Sequence, residues 1–455
     1  MNKTLLTLIA LLMPFMSFSY DFKEDGLCYN FNEDGETVTM TYENLIMFAL
    51  DAPAPKEKGY IGIIIIPSIV HHDGKDYIVT AIDRETFMGN SDLERVVIPS
   101  TVTKIGKGAF HQCYRLREVI LPPDLTEIGD YTFAESGLNS IVIPQKVKTI
   151  GQSAFSNTSI KSIVIPPSVK AIGKSAFSAC RWMEEVTMGK SIESIGEAAF
   201  SICTSLKAID LPSSLKEIGP KAFYECGGIE TVTIPASVNS IGYGAFDHCP
   251  ALTSIKVEKR NKVYDSRKNC NAIIEKETNT LVAGCSTTKI PKTVTAISPE
   301  AFAGCYSLKN IDIPTSVTTI GNQAFFYCKN LRELSIPNSV TTIEERAFCG
   351  CDSLETVTIS NSVKTIGYGA FLHDDNIKTV TLGNGVTTIE AWAFKGLDAV
   401  TSITSHIEDV ASVKMGKDVF DEIDKNACTL YVPKGTAASY KEAPQWKDFK
   451  NIVEK

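Results

Sequence analysis

Leu331–Cys351, LRELSIPNSVTTIEERAFCGC, holds one complete structural unit. Leu331, Leu334 and Ile336 are spaced to point inward from a short strand, which Pro337 ends because it has no amide to donate. Val340 and Ile343 make a second short inward-facing strand. Ala347, Phe348 and Cys351 then fill a third side, predicted as a single helical or 3₁₀ turn because the segment is too short for a regular helix. A unit this small cannot bury its apolar side chains alone; it must stack on copies of itself.

The copies are present. Phe348 has equivalents at Phe87, Phe110, Phe133, Phe155, Phe177, Phe200, Phe223 and Phe246, then at Phe302, Phe325, Phe371 and Phe394. Every step is 22 or 23 residues except the one of 56 between Phe246 and Phe302. A period in this range specifies a repeat solenoid, mainly β, with short strands and short helical or 3₁₀ turns. Glycine follows the second strand in most units, as at Gly106 and Gly151, where the coil bends; Glu344 and Glu390 replace it, so the corner does not strictly demand positive φ.

Hydrophobic residues at 44% and charged residues at 22% are those of ordinary folded protein. A net charge of -8 and a pI near 5.5 lack the concentrated basic face that nucleic-acid binding needs. Residues 1–19 read as a signal peptide: Lys3 supplies a positive n-region, Leu5 to Leu12 an apolar core, and Ser17-Phe18-Ser19 small residues at the cleavage positions. The apolar run is shorter than the roughly 20 residues a bilayer span needs. The first cysteine, Cys28, stands too far from the cleavage point for lipid attachment. Export follows, to a secreted, cell-surface or periplasmic place, with no transmembrane segment after signal removal.

Residues 20–80 do not fit the period and read as a β-rich N-terminal cap, with Asp34-Gly35 and Asp73-Gly74 as hairpin turns. Residues 81–256 carry the first run of repeats. Residues 257–290 read as a β-hairpin insertion, two β-type runs joined by the polar Glu275 to Asn279. Repeats resume over 291–409, after which Phe420 is a weak echo. Residues 410–455 form a C-terminal cap in which Thr436 caps a short helix and Trp446 and Phe449 cover the last coil.

The unit I-P-x-S-V-x-x-I-G-x-x-A-F-x-x-C, the Tyr264-Asp265-Ser266 to Cys285 insertion with Asn271-Ala272-Ile273-Ile274, and the Leu430-Tyr431-Val432-Pro433 ending resemble the BspA-like bacterial leucine-rich repeats. That resemblance spans nearly the whole chain beyond residue 19. It implies an exported or surface-displayed, non-enzymatic binding protein of the kind found in gut and oral bacteria, some members being adhesins for host matrix proteins.

Eight cysteines, Cys113, Cys180, Cys203, Cys226, Cys249, Cys305, Cys328 and Cys351, sit three residues after a marker phenylalanine. One per coil makes a ladder of small core side chains, not a converging metal or redox site. Adjacent rungs about 4.8 Å apart are within disulfide reach, but parallel core side chains are poorly aimed for bonding. The cysteines are therefore expected as mostly free buried thiols, with Cys270 and Cys285, flanking the insertion hairpin, as the one candidate disulfide pair. The six histidines include His71-His72 at a hairpin tip and form no H-E-x-x-H; neither a nucleophile elbow nor a P-loop occurs. No catalytic residue, cofactor or metal is expected.

The outward strand positions carry the functional lead. Val97, Ile120, Val142 and Val164 are apolar, whereas Thr187, Asp210, Thr233 and Lys256, then Asp312, Ser335, Thr358 and Thr381, are polar. Stacked in phase, the first four form an apolar stripe, and such a patch marks a partner site. β-branched residues also suit strands for their own sake. The stripe lacks aromatic rings, which leaves a carbohydrate platform there unsupported. The expected function is adhesion or protein–protein interaction through the sheet face, with protein or glycan partners that include host matrix proteins. The alternative is a structural protein binding components of its own cell envelope.

Overall fold

Asp73 (φ 49°) and Gly74 (φ 77°) are both left-handed, the geometry of a two-residue hairpin turn whose twist matches the strands it joins. The computed structural model describes residues 20–42 and 60–455. The expected signal peptide, residues 1–19, lies outside the described residues. The chain divides into two compact units, Met1–Trp182 and Met183–Lys455.

In the first unit, β1 (Phe22–Glu24), β2 (Leu27–Phe31) and β3 (Thr37–Thr41) form an antiparallel meander. Asp34 shapes its second turn, its carboxylate accepting the Glu36 and Thr37 amides at 2.9 and 2.8 Å. Further along come β4 (Gly62–Ile65), β5 (Ile69–His72) and β6 (Lys75–Ile82). β5 and β6 are the Asp73-Gly74 hairpin, and β6 lies parallel to β3. The coils begin with β7 (Leu93–Val97), β8 (Lys104–Ile105) and β9 (Glu118–Ile120). β4, β7 and β9 form one parallel sheet, and β6 pairs in parallel with β8, so the meander covers the end of the first coil. That leaves no raw apolar end there.

The third side of each coil is the part the repeat pattern does not announce. Residues two before and two after the marker phenylalanine are left-handed: Glu85, Tyr131, Ser153 and Ser175 before, Gln112, Glu135, Asn157 and Ala179 after. Such a conformation costs a non-glycine residue roughly 1–2 kcal/mol. Backbone bonds between coils offset it: the amides of Tyr131, Phe133 and Glu135 donate to the carbonyls of Gln152, Ala154 and Ser156 at 2.8, 2.8 and 2.7 Å. The side is therefore a run of turns bonded coil to coil. Short helical pieces stand instead at Arg267–Asn269, Val410–Ser412, Ala437–Glu442 and Trp446–Asp448.

The phenylalanines fill the interior as a stack. Phe87, Phe110, Phe133, Phe155 and Phe177 follow one another with ring centroids 4.9–5.4 Å apart and nearly parallel planes. Corner glycines are required by crowding, not by φ: a Cβ on Gly151 would stand 2.7 Å from the backbone of Gly129 and Asp130 in the neighbouring coil.

The second unit repeats this plan. Its longest ladder of second strands runs in parallel register from Ala296–Ile297 through Thr319–Ile320, Thr342–Ile343, Thr365–Ile366 and Thr388–Ile389 to Lys414–Met415. The hairpin between Phe246 and Phe302 is an irregular coil. Ile273–Glu275 and Thr280–Ala283 pair antiparallel, and Leu281 pairs in parallel with Ile297. Gly284 then lies on a marker ring, where a Cβ would come within 2.1 Å of Phe302 Cε1.

Phe420 is a full rung rather than an echo. It stacks on Phe394 at 6.0 Å and 11°, and the 3₁₀ turn Val410–Ser412 takes up its longer spacing. Trp446 and Phe449 meet Phe420 edge-on, at 61° and 80°, which ends the stack. Thr436 occupies the N-cap position of Ala437–Glu442 but makes no capping bond; its hydroxyl donates to the Pro433 carbonyl. Glu454 accepts the Ala437 amide instead, at 3.0 Å.

Candidate binding surface

Alternation along the first strand of each coil sends one residue inward and the next to solvent. In the first unit, Leu93 and Val96 are buried while Arg95 and Val97 look outward; in β9, Val119 is buried between Glu118 and Ile120. Register then aligns the outward residues. Ile65 pairs with Val97, and Val97 with Ile120. Val97 is half-buried between those neighbours, whereas Ile120, Val142 and Val164 are exposed, Val142 to 83%. Val164 lies on the strand Ser162–Val164, but the backbone around Val142 forms no regular strand.

Two more residues belong to this face. Ile63 and Ile65 on β4 are 59% and 67% exposed, and Ile65 extends the apolar row by one position. Their signal was present in Ile66-Pro67 and Val70, which match the I-P and V of the repeat's I-P-x-S-V, but no marker phenylalanine precedes them. Beside the row, Arg95 Nε meets Glu118 Oε2 at 2.9 Å, so a paired charge borders the apolar stripe.

The outward face of the second unit is polar. Ser335, Thr358, Thr381, Thr404 and Tyr431 pair in sequence across adjacent parallel strands. Beside this row, a groove of about 860 Å³ runs along the coil corners, where Asn338, Asn361 and Asn384 recur one per coil. Asp312 lies among its lining residues, as do His406 and Glu408, and the lining includes neither lysine nor arginine.

Cys270 and Cys285 are both buried and stand as separate thiols. Cys285 Sγ points at the Asn271 carbonyl, 3.3 Å away, and Cys270 Sγ at that of Ala272, 3.9 Å away. The ladder cysteines have a definite partner. Cys113, Cys226, Cys249, Cys328 and Cys351 each donate to the carbonyl of the marker phenylalanine one coil earlier, at 2.9–3.4 Å. Burial pushes the Cys113 and Cys249 thiols up to about 12, which keeps them protonated as donors. Ser136 and Thr158 bond their own coil's phenylalanine carbonyl from the same position.

One titratable cluster contains Asp247, Glu300, Lys221 and His248. Burial, and then the neighbouring Glu300 carboxylate, hold the Asp247 carboxyl well above the usual range. Lys221 Nζ lies 3.8 Å from Glu300 Oε1, and burial pushes His248 down. No nucleophile with an adjacent base accompanies the pair. No group of three or more histidines, cysteines and carboxylates able to hold a metal occurs among the described residues. Nor does any described helix have the length and apolarity to cross a membrane.

Parallel coils, an internal phenylalanine stack and outward rows on the strand face define a repeat scaffold of the leucine-rich type. Residues 80–201, 172–276 and 273–401 match the family described as BspA type leucine-rich repeat region, in six copies. The chain belongs to this family. Among solved structures, a leucine-rich repeat protein from Bacteroides ovatus is 27% identical, with 96% of this chain and 100% of that one covered and a TM-score of 0.63. A leucine-rich cell surface protein from Faecalibacterium prausnitzii is 26% identical over 84% of this chain and 94% of its own, also with a TM-score of 0.63. The pneumococcal vaccine antigen PcpA, 20% identical with 95% and 98% covered and a TM-score of 0.58, shares the fold. No curated protein matches the chain. Family membership suggests a role in protein binding or adhesion, as an interaction scaffold without known enzymatic chemistry.

Proposed function

We propose that the chain is an exported, non-enzymatic adhesion protein that holds a protein partner on the apolar face of its first unit. The observation that carries this is the row Ile65, Val97, Ile120, Val142 and Val164, largely exposed and bordered by the Arg95–Glu118 pair. An exposed apolar patch with a charged border has the make-up of an interface core and rim. Affinity from such a face comes from contacts spread over several coils, not from one deep pocket. Likeness to a Faecalibacterium cell surface protein supports display outside the cell.

The test pairs location with binding. Proteolysis of intact producer cells is expected to cleave the chain, since an inaccessible protein cannot be an adhesin. Mature protein is then offered host matrix proteins and, separately, the producer's own envelope proteins. Val142→Asp and Val164→Asp, with unchanged circular dichroism, are expected to abolish capture of the host component. Capture that survives both substitutions removes the stripe from the function, and capture of envelope proteins alone replaces adhesion by a structural role.

A further inference from the structure

We propose that the second unit carries a separate site, a groove that binds a neutral, linear oligosaccharide. Three features of the groove select this chemistry. The first is its repeat: Ser335, Thr358 and Thr381 present hydroxyls on adjacent strands, Ser335 and Thr358 exposed and Thr381 half-buried. Strand spacing sets successive hydroxyls about 4.8 Å apart, a repeat close to the advance of one pyranose ring along an extended chain. The second is the parallel row of amides. Asn338, Asn361 and Asn384 are exposed at the coil corners, and an amide carries both donors and an acceptor, as vicinal sugar hydroxyls require; Asn361 Oδ1 already accepts the Asn384 backbone amide at 3.1 Å and keeps one lone pair.

The third feature is a ring further along the row, beyond the residues that line the groove. Tyr431 pairs with Thr404, which pairs with Thr381, so the hydroxyl ladder runs into an aromatic side chain. Lys455 Nζ stands 5.1 Å from the Tyr431 ring centroid and braces the ring from one side. An aromatic face takes up the C–H face of a sugar while its hydroxyl reaches a polar partner. Polar ladder and ring together distinguish this face from the ringless stripe of the first unit.

Charge and backbone pairing narrow the occupant. Asp312 and Glu408 line the groove and its lining holds no lysine or arginine, Lys455 lying beyond it on the Tyr431 ring, which disfavours sulfated or uronic-acid chains. A bound peptide would need either a free strand edge or pockets for alternate side chains. The strands beneath the ladder, Glu333–Ser335, Thr356–Ile359 and Thr379–Leu382, are already paired to one another, and the surface above them is an open trough of mixed polar and apolar lining.

The experiment titrates the full mature chain with cellohexaose, mannohexaose, xylohexaose, a heparin hexasaccharide and a Gly-Ser decapeptide, read by calorimetry and saturation-transfer NMR. At least one neutral hexasaccharide is expected to bind with millimolar affinity. Thr358→Val, which keeps the strand-forming shape and removes only the hydroxyl, is expected to weaken it about fivefold, the weight of one hydrogen bond. Tyr431→Ala is expected to cost about tenfold, and Tyr431→Phe to retain most of the binding. Val142→Asp in the first unit should leave sugar binding unchanged, which separates this site from the adhesion surface. The proposal is overturned if no neutral sugar binds, if only the heparin fragment or the peptide binds, or if folded Thr358→Val and Tyr431→Ala bind as well as the parent.

Discussion

The backbone amide of Cys351 donates to Oδ1 of Asp374 at 2.6 Å, and Asp374 is the residue that takes the ladder position after Phe371 where other coils have cysteine. A carboxyl group thus replaces a thiol in the core. It is fully buried, and burial, reinforced by Asp352 and Asp375, holds it well above the usual carboxylate range.

Asp374 therefore makes stability fall with rising pH. The unfolded chain loses this proton near pH 3.9, while the folded chain keeps it, so the neutral acid is accommodated at low pH and an increasing penalty accrues as pH rises toward the folded value. Asp374→Asn keeps an acceptor for the Cys351 amide and removes the penalty. Urea midpoints at pH 5 and pH 8 should show the variant gaining on the parent at the higher pH. A constant difference between the two would rule out a protonated Asp374.

The marker stack should behave as a set of nearest-neighbour contacts. Phe325 stacks between Phe302 and Phe348 at 4.9 and 5.1 Å. Phe325→Ala is expected to cost about 3–5 kcal/mol, and hydrogen exchange should accelerate most in the coils on either side of it. Uniform acceleration throughout the second unit would show instead that the stack melts as one piece.

The period was legible because Phe87 to Phe394 and the isoleucines and leucines beside them do one job in every coil, packing inward. The left-handed residues around each phenylalanine were hidden, because Glu85, Tyr131, Ser153 and Lys221 share a backbone shape and no side-chain chemistry. Periodicity does not mark Phe420 as a rung because its spacing is set by a 3₁₀ turn that no periodicity contains. The apolar row was read from Val97 onward, but Ile63 and Ile65 precede the first marker and join it only through β4–β7 register. Tyr431 likewise joins the Thr358 row only once Thr404 is seen to pair with it.

Thiol chemistry offers a third check. Only the thiolate is nucleophilic, so burial that pushes Cys113 and Cys249 up to about 12 should leave them inert to a thiol reagent at pH 8 in the native chain. Denaturation without reductant should release all 13 thiols. A count near zero would overturn the free ladder. A count two short of 13, with the pair mapped to Cys270 and Cys285, would establish the insertion disulfide.

Gly151 tests whether crowding, rather than φ, selects the corner glycine. Gly151→Ala places a methyl 2.7 Å from the backbone of the neighbouring coil and should cost about 1–3 kcal/mol by urea denaturation. Gly74, with φ 77° and open space around its Cβ position, should accept asparagine with little loss. Equal costs at the two sites would reject the distinction.

Trp446, set edge-on against Phe420, acts as a terminator. A ring presented by its edge offers no parallel face for another marker to join, so coils can be gained or lost only upstream of it. An event among the coils of Ser335, Thr358 and Thr381 adds or removes one hydroxyl and one amide from the corner groove. The length of ligand such a chain can grip is then a whole number written into its gene, open to change by unequal recombination between repeats without a single new side chain.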